Sequence, residues 1–452
     1  MKMMINFVVE VNIEGDRVNA NEVFRSVKET LGSVSEQLAL QVIQGYEERI
    51  VELLCTPSGT VAKKGLGRHE KKGQDGVGCR HRRFERAGHW GHTRRLRGEI
   101  CTVEFQPAMV KCLGCGKRLT PVLEALELER YQRATEGLVK QVMEAVADTS
   151  YRRGEVQLEV LGEVPVAKST MHQWAASVEV PVREAQGAPF VAADGTGFKR
   201  QPGQRGEVRL VLEIGPQGTI HPVGVWAGTS WEDISKELKQ KRRQAGQEQY
   251  ELFLGDGEQA MEEWLGELAE RANRCHWHVP RGAGYALWED GVPLKERKQV
   301  QGQLGQLLAI EIPEEDMEAV SEEDRAKLRE QIESAENELE ELREEFLHKG
   351  YTKAATYLAN TRDRLFNHLR LWLKTGIIAP RTTSIVENTI RELVRRLKKI
   401  GHNWSDAGAA RMGRIVMLRR YDAEGWSAFW RERMNLQGRC QMELVSCDRR
   451  VA

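Results

Sequence analysis

Three acidic residues carry the chemistry that the sequence suggests most strongly. Asp194 closes an apolar strand-like run, FVAAD, and is followed at once by Gly195 and Gly197. Asp256 follows a second apolar run, LFL, with a glycine on each side. Carboxylates at strand ends flanked by glycine are held on a rigid element while the backbone leaves room for a large substrate. Glu387 lies near the start of a helical pattern whose apolar stripe includes Ile390, Val394 and Leu397, at i+3, i+7 and i+10, so its carboxylate is expected to face inward. An inward carboxylate needs a partner, because an unpaired buried charge costs several kcal/mol. Three such acids around two Mg²⁺ or Mn²⁺ ions, roughly 3.5–4 Å apart, would activate a nucleophile and stabilise the leaving oxygen of a phosphodiester. Asp before Gly is also common in turns, so each aspartate taken singly reads equally well as a turn residue. The bland reading weakens because all three fall in one order of strand, strand and helix.

A second constellation is KCLGCGKRLTP, in which Cys112 and Cys115 have the spacing of one knuckle of a tetrahedral zinc site. The upstream stretch GCRHRRFERAGHWGH has no second Cys-x-x-Cys, so Cys79 with His81 is the first choice for the other half, with His89 and His92 as substitutes, and a reduced, metal-free loop is the alternative. RCHWHV places Cys275 and His278 in a Cys-x-x-His arrangement. There the favoured reading, over a metal role for the pair, is an alternating strand with Cys275 simply packed, and a DNA contact by His278 or Trp277 is a further reading.

Basic residues are concentrated rather than abundant. The formal net charge is zero, yet Ala62 to Arg118 holds 15 Lys/Arg against 5 Asp/Glu, and Arg391 to Arg420 holds 9 against 2. Residues Ile312 to Leu347, with 15 acidic against 4 basic side chains, hide both in the total. A charge run alone is more often a solvated face, but these two are plausible phosphate-facing surfaces. Arg391, Arg395, Lys398 and Lys399 lie just beyond Glu387, where DNA would pass. Trp404 is equally suited to stacking on a flipped base and to covering a helix end.

The elements that position these groups follow from length and periodicity. A chain of 452 residues is expected to form two to four domains at roughly 100–200 residues each. No signal sequence or long apolar run is visible, which points to a cytoplasmic protein with reduced cysteines and no membrane partner. The pattern predicts an N-terminal helical region over 1–56, in which Asn21 to Leu54 reads as helix, and a basic, glycine-rich zinc-ribbon-like region over 57–125. Over 126–185 VPVAKSTMHQWAASV resembles the second half of a helix-turn-helix, with Ser169 or Thr170 as the cap and Trp174 on the helix. Three strands, a helix, a strand and the helix EQAMEEWLGELAER then give an α/β core over 186–284 and 351–421. The heptad Leu328, Ile332, Ala335, Leu339, Leu342 and Phe346 marks a helical insertion over 285–350, and 422–452 reads as a tail.

The stretches ADGTGF, LGDGEQA and SIVENTIRELVRRLKKIGHNWSDAGAARM resemble bacterial insertion-sequence transposases of the DDE type, related to the Mutator group, over roughly Cys112 to Tyr421. The resemblance implies that Asp194, Asp256 and Glu387 are the three metal-holding acids of an RNase H-like catalytic core interrupted by an all-helical insertion. It also implies binding of element-end DNA, hydrolytic nicking, attack of the freed 3′-OH on target DNA, and a homodimer or higher assembly that pairs two ends. A nuclease without strand transfer, or a domesticated transposase that only binds DNA, are the alternatives.

Overall fold

The computed structural model describes residues 2–7, 20–56, 83–161, 164–183, 187–201, 203–247, 249–313, 317–400, 403–437 and 440–443. The chain is mixed α/β and divides into two compact units, one built from 1–146, 151–174 and 430–452, the other from 147–150 and 175–429.

In the first unit, α1 (Ala20–Cys55) is 36 residues long and buries only its last turns, through Glu47, Ile50, Val51 and Leu54. Ile50, Val51 and Leu54 pack with Val110 in a small core, and Glu47 accepts the Ala108 N–H at 2.7 Å. The strands β1 (Phe84–His89), β2 (Arg94–Arg97), β3 (Thr102–Phe105), β4 (Ala108–Cys112) and β5 (Arg118–Leu119) form a β2–β3 hairpin and an antiparallel sheet in the order β1-β4-β5. Helices α2 (Pro121–Ala125), α3 (Glu136–Asp148), α4 (Tyr151–Leu161) and α5 (Lys168–Ser177) follow. Helix α5 begins at Lys168, so Ser169 and Thr170 lie within its first turn instead of capping it. The cap comes from outside: the Lys168 N–H donates to Glu155 of α4 at 3.1 Å.

The second unit is organised by one mixed sheet. Strands β6 (Phe190–Lys199), β7 (Arg205–Ile214) and β8 (Ile220–Ala227) are antiparallel neighbours, as the three glycine-separated apolar runs predict. Helix α6 (Trp231–Gln244) starts at Ser230, whose hydroxyl accepts the Asp233 N–H, and leads to β9 (Tyr250–Gly255), parallel to β6. After the short helix α7 (Gln259–Gly266) comes β10 (Ala269–Arg274), parallel to β9, so the sheet order is β10-β9-β6-β7-β8. This fifth strand corrects the sequence reading, which carried a helix through LAER. AERANR has little strand propensity, and its polar side chains are accommodated because Asn273 and Arg274 are buried with partners.

After β10 comes an all-helical segment: α8 (His278–Glu289), α9 (Leu294–Leu307), α10 (Glu322–His348), α11 (Thr352–Thr361) and α12 (Asn367–Thr375). The predicted heptad residues of α10, Leu328, Ile332, Ala335, Leu339, Leu342 and Phe346, are all buried. They share one core with Val279 and Leu287 of α8 and with Leu358, Leu369 and Trp372, so one apolar cluster joins α8 to α12. RCHWHV is no strand: Arg274 ends β10 and His278 begins α8. The chain returns through α13 (Ser384–Val394), a π-helical turn over Arg395–Lys399, α14 (Asp406–Tyr421) and α15 (Ala423–Arg433). The tail region thus contributes a helix, with Trp426 and Trp430 buried. Among the described residues no helix is long and apolar enough to cross a membrane.

Candidate active site

The last parallel pairs of β6 and β9 are Val191 with Phe253 and Ala192 with Leu254. Asp194 and Asp256 each stand two residues beyond the last of these pairs, Asp194 still within β6 and Asp256 just past the end of β9, and the charge of Asp256 is felt at Asp194. Strand β6 continues past Asp194 to Lys199 through its pairing with β7, so Asp194 is mid-strand and the expected strand end applies only to the edge that faced β9. Asp256 follows β9 directly. A Cβ at Gly195 would meet Glu207 Oε1 at 2.6 Å, so a larger residue there would push the end of the Glu207 side chain aside.

Glu387 sits in the first turn of α13, which packs on β6. Its neighbours Val386, Ile390 and Leu393 are buried, and Glu387 itself lies at the edge of that apolar face with a half-buried side chain. The three acids share one field. Burial, then the charge of Asp256, push Asp194 up to about 6; the Gly195 N–H opposes, Glu387 raises it further, and His278 lowers it. Desolvation and like-charge repulsion both disfavour a lone carboxylate here, which is the environment a cation relieves.

Each carboxylate has one oxygen engaged locally. Asp194 Oδ1 accepts the Gly195 N–H at 2.7 Å, Asp256 Oδ1 the Glu258 N–H at 2.9 Å, and Glu387 Oε1 the Thr383 hydroxyl at 3.0 Å. The second oxygen of each makes no hydrogen bond with the described residues. The donor set therefore suits a hard divalent cation chemically, three carboxylates with free oxygens and unrelieved repulsion. As the side chains stand, no three His, Cys, Asp or Glu groups among the described residues form a closed metal-holding set.

Cys275 and His278 lie against this cluster. Cys275 is buried, and the Thr383 N–H donates to its Sγ at 3.2 Å. Thr383 Oγ1 is within 3.2 Å of Cys275 Sγ, 3.4 Å of His278 Nδ1 and 3.0 Å of Glu387 Oε1, and its single proton serves one acceptor at a time. His278 Nε2 is 4.0 Å from Glu387 Oε1. The hydrogen bond with Cys275 raises His278, burial opposes, and the charges of Cys275, Asp256 and Glu387 raise it further. Cys275 is a packed residue, as the favoured reading held, and it also braces the turn that carries Glu387.

The basic candidates separate. Lys398 Nζ donates to Thr196 Oγ1 at 2.8 Å, which places the π-helical turn beside the strand of Asp194. Arg391, Arg395 and Lys399 are exposed. Trp404 is not available to a base: it is buried, Arg396 lies 4.8 Å over its ring, and its backbone bridges Lys199 and Gln201. Trp174 is half-buried on α5 and Trp277 is exposed.

Sequence reasoning missed Thr383, Glu258 and Glu207. Glu258 accepts the Trp231 indole N–H at 2.9 Å, and burial raises it, with Glu207 and Asp256 adding. Glu258 had a local signal, an acid two residues after Asp256, whereas Glu207 reaches the site only through its pairing opposite Gly197.

Cys112 and Cys115 lie in the first unit. Cys112 ends β4 and is buried, Cys115 is exposed, and the turn between β4 and β5 closes with the Gly116 N–H donating to Cys112 O at 2.8 Å. Cys79 and His81 lie outside the described residues, while His89 and His92 are exposed. No protein-family model matches the chain, and no characterised protein matches it.

Proposed function

We propose that the second unit is an RNase H-like catalytic core that uses Asp194, Asp256 and Glu387 to hold divalent metal, and that the protein is a DNA transposase of the DDE type. The observation that carries this reading is the juxtaposition of Asp194 and Asp256, each two residues beyond the last β6–β9 pair, in a field shared with Glu387. A five-stranded mixed sheet with an all-helical segment before the Glu-bearing helix supports the same reading. When bound, Mg²⁺ or Mn²⁺ would supply activation of the attacking oxygen and stabilisation of the leaving one.

The chain's own groups orient and neutralise. Thr383 holds Glu387 Oε1, the Gly195 and Glu258 N–H groups hold Asp194 and Asp256, and the other oxygen of each carboxylate would be left to a cation. His278, raised above its ordinary range beside Glu387, offers a proton at Nε2 to a phosphate oxygen arriving there. Lys398 and the exposed Arg391, Arg395 and Lys399 face the phosphates that flank that point.

The test is incubation of the protein with Mg²⁺ or Mn²⁺ and labelled DNA carrying the inverted repeats that flank its gene, followed by sizing of the products. Nicked ends together with joined target products are expected. Nicks without joined products favour the nuclease, and binding without nicks favours a DNA-binding protein.

A further inference from the structure

We infer that one face of α8 stacks the unpaired bases of a DNA strand beside the three carboxylates, an inference that rests on the reading of the site as a DNA-processing centre. Trp277, Tyr285 and Trp288 are 51%, 68% and 61% exposed, unusual values for large aromatic side chains. With Arg281 they fall at steps of four, four and three along the helix, so all four residues share one side. The opposite side, Val279, Ala283 and Leu287, is buried in the core of the helical segment, and α8 cannot turn the aromatic face inward without exposing that core.

The face fits a nucleic acid by charge as well as shape. The Arg281 guanidinium lies 3.9 Å over the Trp277 ring, and among the described residues it pairs with no carboxylate. The acids at the far end of α8 are already engaged: Glu289 pairs with Lys353 at 3.0 Å, and Asp290 accepts the Lys353 and Ala354 N–H groups. The surface is therefore cationic and aromatic, complementary to a polyanion that offers flat rings. Duplex DNA keeps its ring faces stacked inside, so only unpaired bases can use this surface.

Position gives the face a role. The Trp277 ring sits 4.9 Å from that of His278, which is 4.0 Å from Glu387. The helical rise puts roughly 16 Å between Trp277 and Trp288, room for two or three bases of an extended strand leading away from the carboxylates.

The test uses the full-length chain in EDTA, so that no cleavage occurs, with two fluorescent probes of equal charge: a roughly 16-nucleotide oligo-dT and an abasic strand of the same length. Wild type is expected to bind oligo-dT about tenfold more tightly than the abasic strand, and Trp277→Ala/Trp288→Ala to lose that preference while binding the abasic strand as before. Trp288→Phe, which keeps a ring, is expected to retain most of it. Equal affinity of wild type for both probes, or a preference that survives in the double variant, overturns the inference. So does a double variant whose only change is weaker self-association in sedimentation, which would make the face a contact between copies. A base preference without cleavage in Mg²⁺ would remove the catalytic reading and leave the stacking surface, whereas cleavage without a base preference would do the reverse.

Discussion

Asp194→Asn is expected to abolish cleavage of element-end DNA and, at the same time, to make the metal-free protein more stable. The carboxyl is raised from its ordinary value to about 6 by burial and by Asp256 and Glu387. For a group raised on folding, the stabilising contribution is full below the unfolded value near 4 and is lost as the pH rises through about 6. At neutral pH the folded carboxylate thus carries its whole penalty, on the order of 2–3 kcal/mol for a shift of about two units. Asparagine never ionises, and its side-chain oxygen can still accept the Gly195 N–H. Thermal unfolding in EDTA at neutral pH should show the variant melting several degrees higher, with the gap closing towards pH 4. Lower stability of the variant at neutral pH would mean that Asp194 is held by partners rather than strained by its neighbours.

Glu262→Leu is expected to destabilise the second unit by about 3–5 kcal/mol, the usual cost of stranding a buried charge. Glu262 and Arg274 are both buried, and Arg274 Nε donates to Glu262 Oε1 at 2.8 Å while Arg274 Nη2 and Arg364 Nη1 reach Glu262 Oε2. Arg274 also donates to the Thr361 hydroxyl, so one cluster ties β10 and α7 to the helical segment. It lies under the turn that carries Asp256: a Cβ on Gly257, whose φ is +108°, would meet Arg274 Nε at 3.4 Å. Because the desolvation cost of such a pair offsets much of its attraction, Arg274→Met/Glu262→Leu should recover most of the loss. Urea unfolding of the two single variants and the double variant checks this, and single variants within about 1 kcal/mol of wild type would contradict it.

What the sequence made legible is what repeats locally. The apolar runs of β6 to β9 and the glycines between them needed no distant partner to be recognised. The heptad of α10 was equally plain, since every residue in it is buried on one side of a single helix. Strand β10 escaped because AERANR carries its information in long-range pairs, Arg274 with Glu262 and Asn273 with the His368 N–H, which no spacing reveals. The same holds for the site. Asp194 and Asp256 stand out beside their strands, but Thr383 matters only because α13 brings it to Cys275, and Lys398 only because the π-helical turn sets it over Thr196. Trp404 misled for the converse reason: an aromatic in a basic stretch suits a base or a core equally, and the bridge to Lys199 decides for the core.

The claim that Asp194, Asp256 and Glu387 are metal ligands is tested most directly by changing the ligand atom. In Asp194→Cys, Asp256→Cys and Glu387→Cys, a soft thiolate replaces a hard carboxylate, so each variant should lose cleavage in Mg²⁺ and regain part of it in the softer Mn²⁺, while wild type cleaves in both. Cleavage in Mg²⁺ that persists in all three variants would contradict the account.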